Sequence, residues 1–149
     1  MFEINYRFSH DNAQDVTKAD EISLRYNLFL GSLIFKKENN SISIDWGWIP
    51  LLDFALCALT ICNDLVQKIR GEAEFEFTET DAKIIFKRDR DAVRITTSFS
   101  TEILEMDFKD FQKAITKFYK DVVFGVLEKN QALKNNTTFL QYLNEAEKM

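Results

Sequence analysis

The chain has 149 residues, of which 46% are hydrophobic, 29% charged and 13% aromatic. That is the size of one ordinary domain, which buries about two thirds of its unfolded surface without disulfide or metal staples, and four Gly with one Pro exclude a collagen-like or loop-dominated chain. Nineteen basic against 24 acidic residues give a net charge of −5, so the basic surplus that drives nucleic-acid binding is missing and any charge attraction favours cationic partners.

The start, Met1 to Arg7, has no basic stretch followed by an apolar one, and no apolar run approaches the ~18 residues of a membrane span. A cytoplasmic protein without a membrane segment is expected. Phe2, Ile4, Tyr6 and Phe8 alternate with polar residues, which predicts a half-buried strand. Ser9 to Asp20 reads as a polar loop carrying Asp11, Asp15 and Asp20, with Glu21 next. Ile22, Leu24, Tyr26, Leu28 and Leu30 alternate again and predict a second strand. Its apolar phase shifts after Gly31 to Leu33 and Phe35, as a β-bulge would cause. After a polar turn at Lys36 to Asn40, with positive φ expected at Asn39-Asn40, the row Ile42, Ile44, Trp46 and Trp48 predicts a third strand.

Pro50 suits the first position of a helix and Asp53 its positive dipole end. Leu52, Ala55, Leu59, Cys62, Val66 and Ile69 form one apolar row, and Phe54, Ala58, Ile61 and Leu65 a second. Only Asp53, Thr60, Asp64 and Gln67 make a polar stripe, so the helix is mostly buried. Lys68 and Arg70 fall in its last turn and Gly71 ends it. Cys57 and Cys62 lie ~140° apart around a helix. They neither pair nor share a metal, and read as buried free thiols.

Three strands follow, around Ala73 to Phe77, Ile84 to Phe86 and Val93 to Phe99, while Ser100 to Met106 fits either a further strand or a connection. Asp107 suits an N-cap. Phe108, Phe111, Ile115, Phe118 and Val122 predict an amphipathic helix from about Phe108 to Leu133, with Gly125 allowing close packing. Asn135-Asn136 breaks it, and Thr137 or Thr138 caps a last helix bearing Phe139, Leu140 and Leu143. The expectation is one α+β domain over residues 1–149, in the order β-β-β-α-β-β-β-α-α. An antiparallel sheet of about six strands packs against the buried helix and the long amphipathic one.

Chemistry-bearing residues are sparse. His10 is the only histidine, and no nucleophile or carboxylate is oriented beside it, so it reads as a surface residue. Phosphate loops, dinucleotide fingerprints and a G-x-S-x-G elbow are absent, and no cofactor or metal is implied. Glu72, Glu74 and Glu76 line one strand face, where Lys87 and Arg94 supply opposite charge across strands. Lys109, Lys113, Lys117 and Lys120 form the solvated back of a helix, interrupted by Asp110 and Asp121. Trp46-Gly47-Trp48, before Ile49-Pro50, is the most distinctive segment. Its two rings share a face and either cap the core or line a binding surface, Trp48 being the more reachable.

A small, acidic, cytosolic α+β layout with no catalytic set is similar to the immunity proteins of bacterial polymorphic-toxin and contact-dependent inhibition systems. The resemblance spans the whole chain as an architecture. The segment Asp45-Trp46-Gly47-Trp48-Ile49-Pro50-Leu51-Leu52-Asp53-Phe54-Ala55 has the look of a signature, and no functional residue carries over. The resemblance implies a non-enzymatic protein that neutralises a basic toxin domain, such as a nuclease, by forming a complex. Asp11, Asp15, Asp20, Glu21, Trp48, Glu72, Glu74 and Glu76 are then the expected contact residues. Two other readings stay open. One is a small carboxylate enzyme with converging acids in a pocket beside Trp48. The other is a structural homodimer formed through an apolar patch on the last helix.

Overall fold

A computed structural model describes residues 1–9 and 16–149. The elements in chain order are β1 (Phe2–Phe8), a π-helical turn (Ser23–Asn27), β2 (Leu30–Lys37), β3 (Asn40–Pro50), α1 (Leu51–Val66), β4 (Arg70–Glu76), β5 (Lys83–Asp89), β6 (Ala92–Thr97), β7 (Leu104–Asp107), α2 (Phe108–Lys129), a 3-10 turn (Gln131–Asn135) and α3 (Thr137–Lys148). The fold is α+β, as expected. Its strands do not form one sheet of about six. They divide into an antiparallel β1-β2-β3 sheet and an antiparallel β4-β5-β6-β7 meander. β7 supplies the extra strand, so Ser100 to Ile103 is connection and Leu104 onward is sheet. β3 and β4 are not paired, and α1 lies between them in the chain.

The clearest departure from the sequence reading lies at Ile22 to Leu30. Alternation there predicted a strand, but Ser23–Asn27 winds as a π-helical turn. Only Leu24 within the turn is buried, and Ile22 and Tyr26 stand exposed. Asp20 caps the turn, its Oδ1 accepting from the Ser23 N–H at 2.8 Å. The register irregularity expected at Gly31 is present, between Gly31 and Leu33. Its surplus residues sit on the partner strand β3.

Aromatic rings join the layers. Phe54 of α1 meets Phe35 of β2 at 6.0 Å, Phe75 of β4 at 4.8 Å and Phe118 of α2 at 5.7 Å between centroids. One residue thus contacts both sheets and the second helix, and the buried residues form one continuous cluster. The end of α1 is not held by Lys68 and Arg70, which fall beyond its last residue, Val66. Arg88 of β5 donates instead to the Leu65 carbonyl at 2.6 Å, and its guanidinium covers the Phe108 ring at 3.7 Å. A cation at these carbonyls complements the helix dipole.

α2 stops at Lys129, short of Leu133. Neither Thr137 nor Thr138 caps α3. Asn136 does, accepting from the Phe139 N–H at 2.9 Å. The same buried side chain donates to the carbonyls of Val16 and Ala19 at 2.8 and 2.9 Å, tying the chain before the π turn to α3. The positive φ of the β2–β3 turn falls on Glu38 and not on Asn39 or Asn40. Among the described residues no helix is long and apolar enough to cross a membrane.

Gly125 is where β1 meets α2. A Cβ there would lie 2.5 Å from the Tyr6 hydroxyl, which donates to the Asp121 carbonyl at 2.7 Å while its ring packs edge-on against Phe8 and Phe118. Alanine gains about 1 kcal/mol of helix propensity, but the clash acts on a ring that two neighbours hold still. Gly125→Ala is expected to lower stability by about 1–2 kcal/mol. Adding Tyr6→Phe, which removes the clashing oxygen, should recover part of that loss in urea unfolding. A Gly125→Ala variant more stable than the parent would refute the account.

Candidate functional site

β3 carries the site because it has more residues than its partner needs. Leu33 pairs with Ile44 and Gly31 with Ile49, so Asp45 to Trp48 stand opposite Ser32 alone. Gly47 takes up the bend at φ +76°, a conformation costly for any other residue there. Two hydroxyls pin the bend. Ser32 Oγ accepts from the Gly47 N–H at 3.0 Å, and Ser9 Oγ donates to the Gly47 carbonyl at 2.5 Å.

Trp46 and Trp48 therefore lie side by side, stacked at 5.2 Å and 17°. The two indoles sit in different surroundings. Trp46 packs against the core, edge-on to Phe77 and Phe99, which lie just beyond the ends of β4 and β6, at 5.0 and 4.9 Å. Trp48 lines an open cleft of about 650 Å³ with Tyr26, Asn27, Leu30, Pro50, Thr78, Glu79 and Thr80. The π turn forms one wall, the end of β3 with the first residue of β2 another, and the segment after β4 the third. Among the described residues Glu79 is the only charged one in that lining. No pair of carboxylates converges there, as acid–base chemistry beside Trp48 would require.

Beneath the π turn lies a polar cluster absent from the sequence reading. Asp53, assigned to a polar stripe of α1, is buried. Arg25 comes down onto it, with Nε donating to Oδ1 at 2.7 Å and a terminal nitrogen at 2.6 Å from the same oxygen. Arg25 also pairs with Glu21 at 3.2 Å and donates to the Cys57 sulfur at 3.5 Å. Burial works against the Arg25 charge, and hydrogen bonds and charge from Asp53 more than offset it, raising its pKa. Burial first, and the Asp53 charge second, push the Cys57 thiol up. Burial also lifts Cys62 to about 11. These are protonated thiols, where nucleophilic catalysis needs a thiolate.

The remaining expected contact residues are spread out. Asp11 and Asp15, with His10, lie outside the described residues. Asp20 and Glu21 engage the π turn itself. Glu72, Glu74 and Glu76 occupy the outer face of the meander, as read, but in a balanced field. Glu72 is in register with Lys87, and Lys87 with Arg94, while Lys83 reaches Glu74 at 3.6 Å and Glu76 at 3.5 Å. On α3, Leu140, Tyr142 and Leu143 are half-buried, so the apolar patch that a homodimer reading places there is small. Among the described residues no three His, Cys, Asp or Glu side chains gather as a metal site. Sequence reasoning missed Arg25, Tyr26, Asp53 and Glu79. The Asp20-x-x-Ser23 cap and the Glu21-x-x-x-Arg25 spacing were the available signals for a helical turn.

Breaking the buried pair on one side strands a charge. Arg25→Ala and Asp53→Ala should each cost about 3 kcal/mol in urea unfolding, and Arg25→Met with Asp53→Leu together should cost less than either. Single losses below about 1 kcal/mol would mean that the pair does not hold the turn. Alkaline stability has a defined sign. Tyr6, Tyr26, Tyr119 and Tyr142 are all raised above 10.0, and Cys57 and Cys62 above 9.0. Folding then retains protons that the unfolded chain gives up. The stabilisation is complete below about pH 9 and is lost progressively up to about 12, where the buried Tyr119 ionises. The urea midpoint should hold near pH 8 and fall by pH 11; a flat profile would overturn the assignment.

Comparison with protein-family models, curated proteins and solved structures finds no match, so the site is interpreted from its own geometry.

Proposed function

We propose that this chain is a non-enzymatic binding protein of the cytoplasm that grips a dedicated protein partner at the Trp48–Tyr26 cleft. Its mode of action is that of an immunity protein holding a toxin domain in an inactive complex. One observation carries the reading. A cleft of about 650 Å³ has a tryptophan, a tyrosine and a proline in its wall and, among the described residues, a single charged group. Aromatic anchors in a partly dry pocket are the usual source of binding energy in protein interfaces, whereas catalysis needs paired or activated groups.

The surroundings support the same reading. Tyr26 is 40% exposed and Ile22, one turn away, 63%, which extends the apolar surface beyond the cleft mouth. The polar lining, Asn27, Thr78 and Thr80, offers amide and hydroxyl groups suited to a partner's backbone. Trp48 and Pro50 sit on β3 and the π turn is held by the Arg25–Asp53 pair, so these two walls need little ordering on binding.

The test is affinity capture from the native cell with the full chain and with Tyr26→Ala as baits. The full chain is expected to retain one partner at equal stoichiometry, and Tyr26→Ala to lose it at least tenfold, in line with an interface anchor worth about 1.4 kcal/mol or more. Co-expression should then abolish the partner's toxicity to a host cell. No stoichiometric partner, or one held equally by Tyr26→Ala, would sink the proposal.

A further inference from the structure

We infer that the occupant of the cleft is a guanidinium, the side chain of an arginine that the partner projects between Trp48 and Tyr26 toward Glu79. This rests on the binding role proposed above and names its chemistry. Two observations select a cation. Among the described residues the cleft lining holds one carboxylate and no cationic residue. That carboxylate is also left over when the surrounding charges are matched. Lys83, the nearest cation along the chain, goes to Glu74 and Glu76. Glu79 forms no ion pair among the described residues, unlike the glutamates of the meander face, whose partners are already present.

The cation nearest the cleft does not oppose this. Arg25 lies 5.8 Å from the centre of the Tyr26 ring, but it is bound to both Asp53 and Glu21. The trio carries one net negative charge. Among cations, a guanidinium suits these walls best. It is flat, stacks on aromatic faces, is weakly hydrated and forks onto a carboxylate. An ammonium would have to shed a tighter water shell to enter.

The alternative surface for a charged ligand is weaker. Lys109, Lys113, Lys117 and Lys120 border a shallow groove along α2, but Lys117 is bonded to Asp121 at 2.6 Å and the lining comes from one helix face. The bare outer face of β1-β2-β3, around Ile34, is crossed by its own Arg7–Asp45 pair at 3.0 Å, and nothing there selects an occupant.

The experiment is a titration of the isotope-labelled full chain with three capped tripeptides, acetyl-Gly-Arg-Gly-amide and its Lys and Gln counterparts, followed by NMR. The Arg peptide should saturate in the millimolar range and move the Trp48 indole N–H and the Tyr26 and Glu79 backbone signals. The Lys peptide should bind several-fold more weakly and the Gln peptide should not saturate. Glu79→Gln, an exposed change that leaves the fold intact, should weaken the Arg peptide about fivefold. Trp48→Ala should abolish the response, its own spectrum confirming that it is folded. Equal binding of Arg and Gln peptides, equal binding of Arg and Lys peptides, shifts confined to the meander glutamates, or indifference to Glu79→Gln would each overturn the inference. If capture returns a Tyr26-dependent partner while the Arg peptide leaves Trp48 unmoved, the binding role survives and the cation is wrong. If capture also fails, both fall.

Discussion

A carboxylate buried in the first turn of a helix has to be answered by a cation, and much of this molecule's local architecture follows from how Asp53 is answered. Its partner comes from the chain before β2, so that segment must pass over α1 and turn back. The turn is a wide π-helical one. It directs Arg25 inward to Asp53 and leaves the next residue, Tyr26, at the surface. Without the pair, the wall of the cleft would be held by the burial of Leu24 and the Asp20 cap, with no polar bond joining it to α1 through Asp53. The cost of desolvating two charges is considerable. The structure meets it by giving the guanidinium additional acceptors in Glu21 and Cys57.

The core beneath is less dependent on any single bond. The phenylalanines provide edge-to-face and tilted ring contacts between layers, with Phe54 touching both sheets and α2. Such contacts are directional enough to fix the orientation of the layers while leaving few polar groups to satisfy. This allows two separate sheets to share one hydrophobic interior. The polar bonds that cross layers are few and specific: Asn136 to the Val16 and Ala19 carbonyls, Arg88 to the end of α1, and Tyr6 to α2.

Period-two alternation was a reliable guide where one face of a strand meets the core, as in β1, β3 and the meander, because burial itself writes that pattern. It misled at Ile22 to Leu30, where five apolar residues alternate by spacing but only Leu24 within the π turn is buried. A short run cannot tell a strand from a turn that is wound by a distant carboxylate. Asp53 was misread for the same reason. On a helical wheel it belongs with Thr60 and Asp64, and only the chain passing over it removes it from water. The tryptophan pair was legible as unusual, but its geometry depends on surplus residues in β3, which show only once β2 is paired with it. Glu79 stood out neither by spacing nor by neighbours. Its distinction is that the cations around it are engaged elsewhere.

The stacked indoles of Trp46 and Trp48 also give this protein an optical property of its own. They are the chain's two tryptophans, held nearly parallel at 5.2 Å, so their electronic transitions couple and contribute a paired circular-dichroism band. One indole is clamped by Phe77 and Phe99, just beyond the ends of β4 and β6, and the other borders the cleft. Any event that rotates the outer ring changes that band at its source, so the molecule reports on its own cleft without a dye or a label.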